Sequence, residues 1–339
     1  MKRMAIAVMG VIVAGGAYAA PDWDKVPVRK MTLLYPGQAG FEWVMNKADH
    51  SAVPDIVDKK RSCAKCHEGD ANEIGDKIVN GKPVGSSKSV LEPSPPKGKV
   101  GSIPVTFQAA HDGNKIYFRF EWVPPQIGSK KLDPKNEVKL TMMFDGGGTV
   151  DGASLNGCWG TCHMDMRTMP DADDKAKNHA KAKALGWGDG VTKYLADSRT
   201  GLEMKGKPRG GWDKLKSDAD IDAALKAGKF LDLMQFRSGK GEKPVDGYVL
   251  DSRHMSGGKS LVKAEGKKEG NKWVVTFERT LAGSGVGDHT IAEGKTYNFG
   301  FAIHEDYTNA RYHYVSLGYQ FGLDKAMPDV RNYISVVKQ

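Results

Sequence analysis

Past residue 19 the sequence has no long hydrophobic run, which excludes a helix crossing a bilayer, since that needs roughly 20 consecutive apolar residues. It has only four cysteines in 339 residues, too few for a disulfide-rich scaffold. It has no basic helix or groove-reading motif. Its 50 Lys and Arg are dispersed, which argues against nucleic acid as a partner. There is no internal repeat beyond the pairing of the cysteines.

The N-terminus carries Lys2 and Arg3, then an apolar run from Met4 to Ala14, then small residues ending in Ala17-Tyr18-Ala19. That is the layout of a secretory signal peptide over 1–19, cleaved near Ala19. A retained anchor is the plainer alternative, but the run is short for one. The expectation is a periplasmic protein with no membrane span in the mature chain. The net charge of +9 falls to about +7 once Lys2 and Arg3 are removed, a modest excess suited to docking an acidic redox protein.

About 320 residues remain, enough for one large domain and an appendage. Residues 20–75 read as a small N-terminal module with few strand signals. Residues 76–104, with Pro83, Pro93, Pro95 and Pro96, read as a linker. From 105 the pattern changes. Ile116, Phe118 and Phe120 alternate with Tyr117, Arg119 and Glu121 after the turn His111-Asp-Gly-Asn114, the period of a half-buried strand. Residues 137–144, 272–279, 296–304 and 311–319 read as further strands. Ala172 to Leu185 and Asp218 to Ala227, the latter capped by Ser217, read as helices. The expected fold is mainly β, an antiparallel sandwich or barrel over 105–339 with helical inserts, preceded by a mostly irregular or helical module.

The chemistry concentrates at the cysteines. Cys63-Ala-Lys-Cys66-His67 is a haem-attachment signature. Its two thiols add to the two vinyl groups of haem, and the adjacent His is carried beneath the iron. Cys158-Trp-Gly-Thr-Cys162-His163 has the same plan with one extra residue between the thiols. Two disulfides, or a zinc centre held by all four cysteines, are the plainer readings. Neither needs a His directly after each second Cys, whereas export and two Cys-His ends together predict two covalent haems c. For the sixth ligand of the first iron, His50, in a polar setting 13 residues before Cys63, is preferred over Met45. For the second, His111 and His179 read as exposed, and His289 lies in a Gly-rich loop. His254, His304 and His313 lie in or beside the β region. Met164, Met166, Met169 and Met255 are more often packing residues than ligands.

Three stretches carry a family resemblance: Val138-Lys-Leu-Thr-Met-Met-Phe-Asp145, Trp273-Val-Val-Thr-Phe-Glu-Arg279 with Leu281, and Tyr297-Asn-Phe-Gly-Phe-Ala-Ile-His304 leading to Ser316. In this order they resemble the haem-binding domain of the ethylbenzene dehydrogenase and dimethylsulfide dehydrogenase gamma subunits, over roughly residues 105–330. That family implies a β-sandwich holding one haem b through a Met and a Lys. Here Cys158–His163 falls near the family's Met, and His313 stands near its Lys. The resemblance thus implies His163 and His313 as ligands of the second haem. The module with Cys63 has no counterpart there.

Two functions follow. One is an electron carrier, with a quinol dehydrogenase, a reductase or a small cytochrome as partner. The other is a haem enzyme, a peroxidase or a reductase of a small oxyanion, with one open iron and Arg167, Arg237 or Arg253 near an anionic substrate. No proton donor beside a haem is visible in the sequence, which favours the carrier.

Overall fold

The structure is a computed structural model that describes residues 20–38, 44, 50–59, 61–84, 90–125, 131–150, 152–155, 157, 194–199, 215–327 and 329–339. The segment read as a signal peptide and the helix expected at Ala172–Leu185 lie outside these residues.

The fold is mainly β. Its strands are β1 (Arg29–Leu34), β2 (Ser102–His111), β3 (Lys115–Trp122), β4 (Lys139–Phe144), β5 (Leu231–Arg237), β6 (Val245–Val249), β7 (Arg253–His254), β8 (Lys263–Glu269), β9 (Lys272–Thr280), β10 (Tyr297–His304), β11 (His313–Val315), β12 (Tyr319–Leu323) and β13 (Tyr333–Lys338). All belong to one sheet in the order β7-β6-β5-β4-β10-β11-β1-β2-β3-β9-β8. β12 and β13 give a second route from β10 to β2. One half of β10 pairs β12 at Tyr297–Phe299, and the other half pairs β11 at Ala302–His304. The sheet therefore folds back on itself, as in a sandwich or barrel. The pairings are antiparallel except β12–β13 and β13–β2, which are parallel.

Local chemistry explains the clearest hairpin. Asp112 Oδ1 accepts the backbone N–H of Asn114 and of Lys115, both at 2.7 Å, and Gly113 takes φ +92°. That turn joins β2 to β3, whose Ile116, Phe118, Phe120 and Trp122 are all buried in the core. The core is aromatic where the folded sheet meets itself. Phe107 on β2 and Phe301 on β10 both lie 4.9 Å from Phe120 of β3, ring to ring. Beside it, Arg279 and Asp232 form a fully buried ion pair, and Arg279 also donates to the His289 carbonyl at 2.6 Å. His289 itself is buried, stacked on Phe230 at 4.0 Å between centroids, so it is a core residue.

His111 was expected to be exposed in the turn. It is instead the last residue of β2, buried, with Nε2 2.8 Å from Asp324. The segment read as 311–319 splits into β11 and β12 around Ser316–Gly318. β1 comes from the N-terminal module, yet it pairs along β2 from Arg29↔Phe107 to Leu34↔Ser102. The stretch read as a linker holds Glu92, fully buried, which accepts from Tyr35 Oη at 2.5 Å and Arg311 Nη1 at 2.6 Å.

Three short helices, α1 (Val53–Lys59), α2 (Cys63–His67) and α3 (Ala71–Val79), lie between β1 and β2 in sequence, and α3 packs on both strands. Gly75 of α3 meets the Gly101 carbonyl so closely that a Cβ there would stand 2.1 Å from its oxygen. α4 (Asp218–Lys226) starts as expected, with Ser217 Oγ accepting the Asp220 N–H at 3.2 Å.

Candidate functional site

α2 is the first cysteine motif. Ser62 enters it in an extended conformation, and the helix runs from Cys63 to His67. Residues three apart share a helix face, so the spacing puts both cysteines on one face of α2, Cys63 partly buried and Cys66 exposed. Cys63 and Cys66 are free thiols. Burial pushes the Cys63 thiol up to about 12, so it is neutral and not a reactive thiolate. His67 Nδ1 lies 3.2 and 3.3 Å from the two carboxylate oxygens of Asp70. Donation from Nδ1 leaves the lone pair on Nε2, the tautomer of a ligating imidazole.

His50 stands opposite, its ring centroid 6.0 Å from that of His67 with a 39° tilt. A metal–imidazole bond is about 2 Å, so two rings bound end-on to one ion have centroids about 6 Å apart. His50 is half-buried, with a hydrogen bond between its ring and the Val44 backbone. Burial, then the neighbouring His67, lowers its pKa, and the Val44 backbone hydrogen bond works the other way. Two facing imidazoles beside two free thiols are a donor set that fits haem c. Among the described residues no three or more His, Cys, Asp or Glu converge as a metal cluster, and two of the four cysteines of the zinc reading lie outside those residues.

Glu68, the next residue after His67, ties the motif to the sheet. It pairs with Arg29 of β1 and accepts from Tyr319 Oη of β12 at 3.3 Å. Arg29 also donates to the Arg331 carbonyl at 2.7 Å.

Cys158, Cys162 and His163 lie outside the described residues, as do Trp159, Met45, Met164, Met166, Met169, Arg167 and His179. Gly157, directly before Cys158, is described. Its φ is +58°, and a Cβ there would stand 2.6 Å from Gly318 Cα and 3.0 Å from the Leu317 carbonyl carbon. The residue before the second motif and the residue after the first therefore both rest on Leu317–Tyr319.

His313 is buried on β11, directly across from His304 on β10, with ring centroids 5.0 Å apart. His313 Nδ1 donates to the Ala310 carbonyl at 2.8 Å, and His304 Nε2 donates to the same oxygen at 3.0 Å. Burial pushes the His304 pKa well down, and His313 beside it adds to this. His254 lies elsewhere, 2.8 Å from Asp251 and stacked on Tyr248. Arg237 pairs with Glu242 at 3.0 Å, and Arg253 sits on the edge strand β7.

The sequence profile described as ethylbenzene dehydrogenase matches residues 20–265. The chain belongs to the ethylbenzene dehydrogenase family. Cytochrome c-552 of Stutzerimonas stutzeri is 39% identical over 329 residues, covering 95% of this chain and 96% of that protein. Cytochrome c-551 of Rhodocyclus tenuis is 30% identical over 316 residues, covering 92% of this chain and 98% of that one. A family 9 carbohydrate-binding module from Caldicellulosiruptor kristjanssonii superposes with a TM-score of 0.28 at 9% identity, over 66% of this chain and 69% of that one, too slight a likeness to bear on the fold.

The family match corrects the extent read from sequence. It begins at residue 20 and so includes the Cys63 module, which was expected to have no counterpart. It ends at 265, before Trp273–Leu281 and Tyr297–Ser316, so of the three stretches only Val138–Asp145 lies within it. The structure places His50, the preferred sixth ligand, with its ring facing that of His67. Arg29, Glu68, Asp70 and Tyr319 were missed. Only Asp70 carried a local signal, an acid three residues after a His at a helix boundary.

Proposed function

We propose that this chain is an exported dihaem c-type cytochrome that carries electrons between redox proteins in the periplasm. The observation that carries the reading is the His50–His67 pair, 6.0 Å between centroids, beside Cys63 and Cys66 on one helix. The near full-length likeness to two proteins named as cytochromes c supports it. When bound, haem c supplies a one-electron iron couple.

In this reading Cys63 and Cys66 would hold the first haem as thioethers, and His67 and His50 would ligate its iron. Cys158 and Cys162 hold the second, with His163 and His313. The Nδ1 hydrogen bonds of His67 to Asp70 and of His313 to Ala310 fix which nitrogen faces a metal. Two histidines on each iron leave no position for a substrate, which favours a carrier over a peroxidase or reductase. The small positive charge suits a quinol dehydrogenase, a reductase or a small cytochrome with an acidic face.

A pyridine haemochrome assay with intact-protein mass tests the reading. Two haem masses, a c-type band and low-spin ferric spectra are expected. One haem mass means the Cys158 site is not covalent. No haem, or a high-spin first site that takes up cyanide at low concentration, overturns the carrier.

A further inference from the structure

We infer that Asp70 is a positioning residue that sets the potential of the first haem through His67. The inference rests on the first haem reading and goes beyond it. Asp70 is the N-cap of α3, where an Asp side chain ordinarily accepts a backbone N–H of the first turn. Here it makes no capping bond. Both of its oxygens instead lie at hydrogen-bond distance from His67 Nδ1, at 3.2 and 3.3 Å. The side chain gives up the bond its position offers and turns back across the boundary between α2 and α3.

Its charge also stands apart. Glu68 is matched by Arg29, and Glu73 on α3 is matched by Lys77 at 2.5 Å. Among the described residues no Lys or Arg pairs with Asp70; its ion-pair partner is His67. The opposite ligand has nothing equivalent, because what acts on the His50 ring is burial, the neighbouring His67 and the Val44 backbone, with no anion among them. One axial imidazole thus bonds to an anion and the other does not. A carboxylate accepting from Nδ1 makes Nε2 a stronger donor and fixes the ring's orientation. The stronger donor stabilises the more highly charged iron, so Asp70 holds the couple toward Fe(III).

The experiment is a spectroelectrochemical titration of the holoprotein, with the first haem identified as the ferric signal altered in His50→Ala. Asp70→Asn keeps the shape and removes the charge. We expect a roughly tenfold change in the Fe(III)/Fe(II) ratio at fixed ambient potential, which is about 59 mV upward for a one-electron couple. Asp70→Glu should return most of it, and Glu73→Gln should leave the potential in place. A change below twofold in Asp70→Asn, or an equal shift in Glu73→Gln, overturns the inference. The wild type gives a reading that needs no variant. In reduced protein carrying 15N-histidine, the His67 Nδ1–H resonance should lie downfield of that of His50, and matching positions overturn the inference. Haem is first located on the Cys63–Cys66 peptide by mass. Its absence sinks the proposed function, whereas haem with an unmoved potential sinks only the role of Asp70.

Discussion

At the scale of single residues the proposed first site depends on His50. Removing its ring by His50→Ala takes away the side chain placed to face His67. The first haem should then become high-spin in the ferric state and bind cyanide, while the second keeps its low-spin spectrum; an unchanged low-spin signal for both would mean another residue is the ligand. A second residue contributes to pH dependence. Lys99 is buried, with Nζ 3.9 Å from the Tyr314 ring centroid and 5.2 Å from that of Tyr35. Burial lowers its pKa to about 7; Glu305 offsets part of this and Arg311 adds to it. An unfolded Lys titrates near ~10.4. Between those values the unfolded chain binds the extra proton, so this residue's contribution makes stability rise with pH across the window. Urea unfolding at pH 7 and pH 10 should show a rise of about 2–4 kcal/mol that Lys99→Met lacks. An equal slope in both proteins would show that Lys99 is not the group titrating. The first cysteine pair and His50 could be singled out in sequence because covalent chemistry fixes the cysteine spacing and a His in a polar stretch has little packing value. Asp70 and Glu68 were not, because surface acids are common and their partners His67, Arg29 and Tyr319 are set by tertiary packing.

At the scale of elements, the docking of α3 decides whether the first site is held in place. Gly75 allows the helix to touch the Gly101 backbone, and a side chain at either position would collide with the other segment. Gly75→Ala should therefore cost about 1–3 kcal/mol and lower the melting temperature. Proteolysis should then cut first within residues 50–80, before the β core. Cleavage of the β core first would show that the helices are not the weaker unit. The strands that could be read in advance have a period. β3 alternates Ile116, Phe118, Phe120 and Trp122 against its outer residues, and β9 and β10 are rich in aromatic and β-branched residues. β5 is buried on both faces along Leu231–Phe236, so no alternation marks it. β8 carries Lys263, Lys267 and Lys268 with almost nothing buried; it is a strand only because β9 pairs with it. β1 has a half-apolar pattern, Arg-Lys-Met-Thr-Leu-Leu, that needs β2 beside it to make sense.

At the scale of the whole molecule, the sheet brings residues that flank the two motifs, Glu68 and Gly157, to one segment. His67 and Cys158 are 91 positions apart. The closure of β10 onto β2 through both β11–β1 and β12–β13 places Leu317–Tyr319 between the two routes. Tyr319 bonds to Glu68 at the end of the first motif, while Gly318 packs on Gly157 at the start of the second. Asn332 Nδ2 donates to the Gly318 carbonyl at 3.0 Å and so fixes the segment from the far side. If both proposed haems are present, contacts of Glu68 and Gly157 with one short, fixed segment predict that exchange between them is an internal step. Pulse radiolysis that reduces one haem per molecule should show electron redistribution at a rate independent of protein concentration. Gly157→Ala introduces a Cβ within 2.6 Å of Gly318 Cα and imposes a side chain on a φ of +58°. It should slow that phase at least severalfold with two haems still attached, whereas Tyr319→Phe, which loses only the hydroxyl bond to Glu68, should slow it less. A phase that scales with protein concentration in the wild type would mean that electrons pass between molecules and that the two motifs, though joined by one segment, do not form a relay.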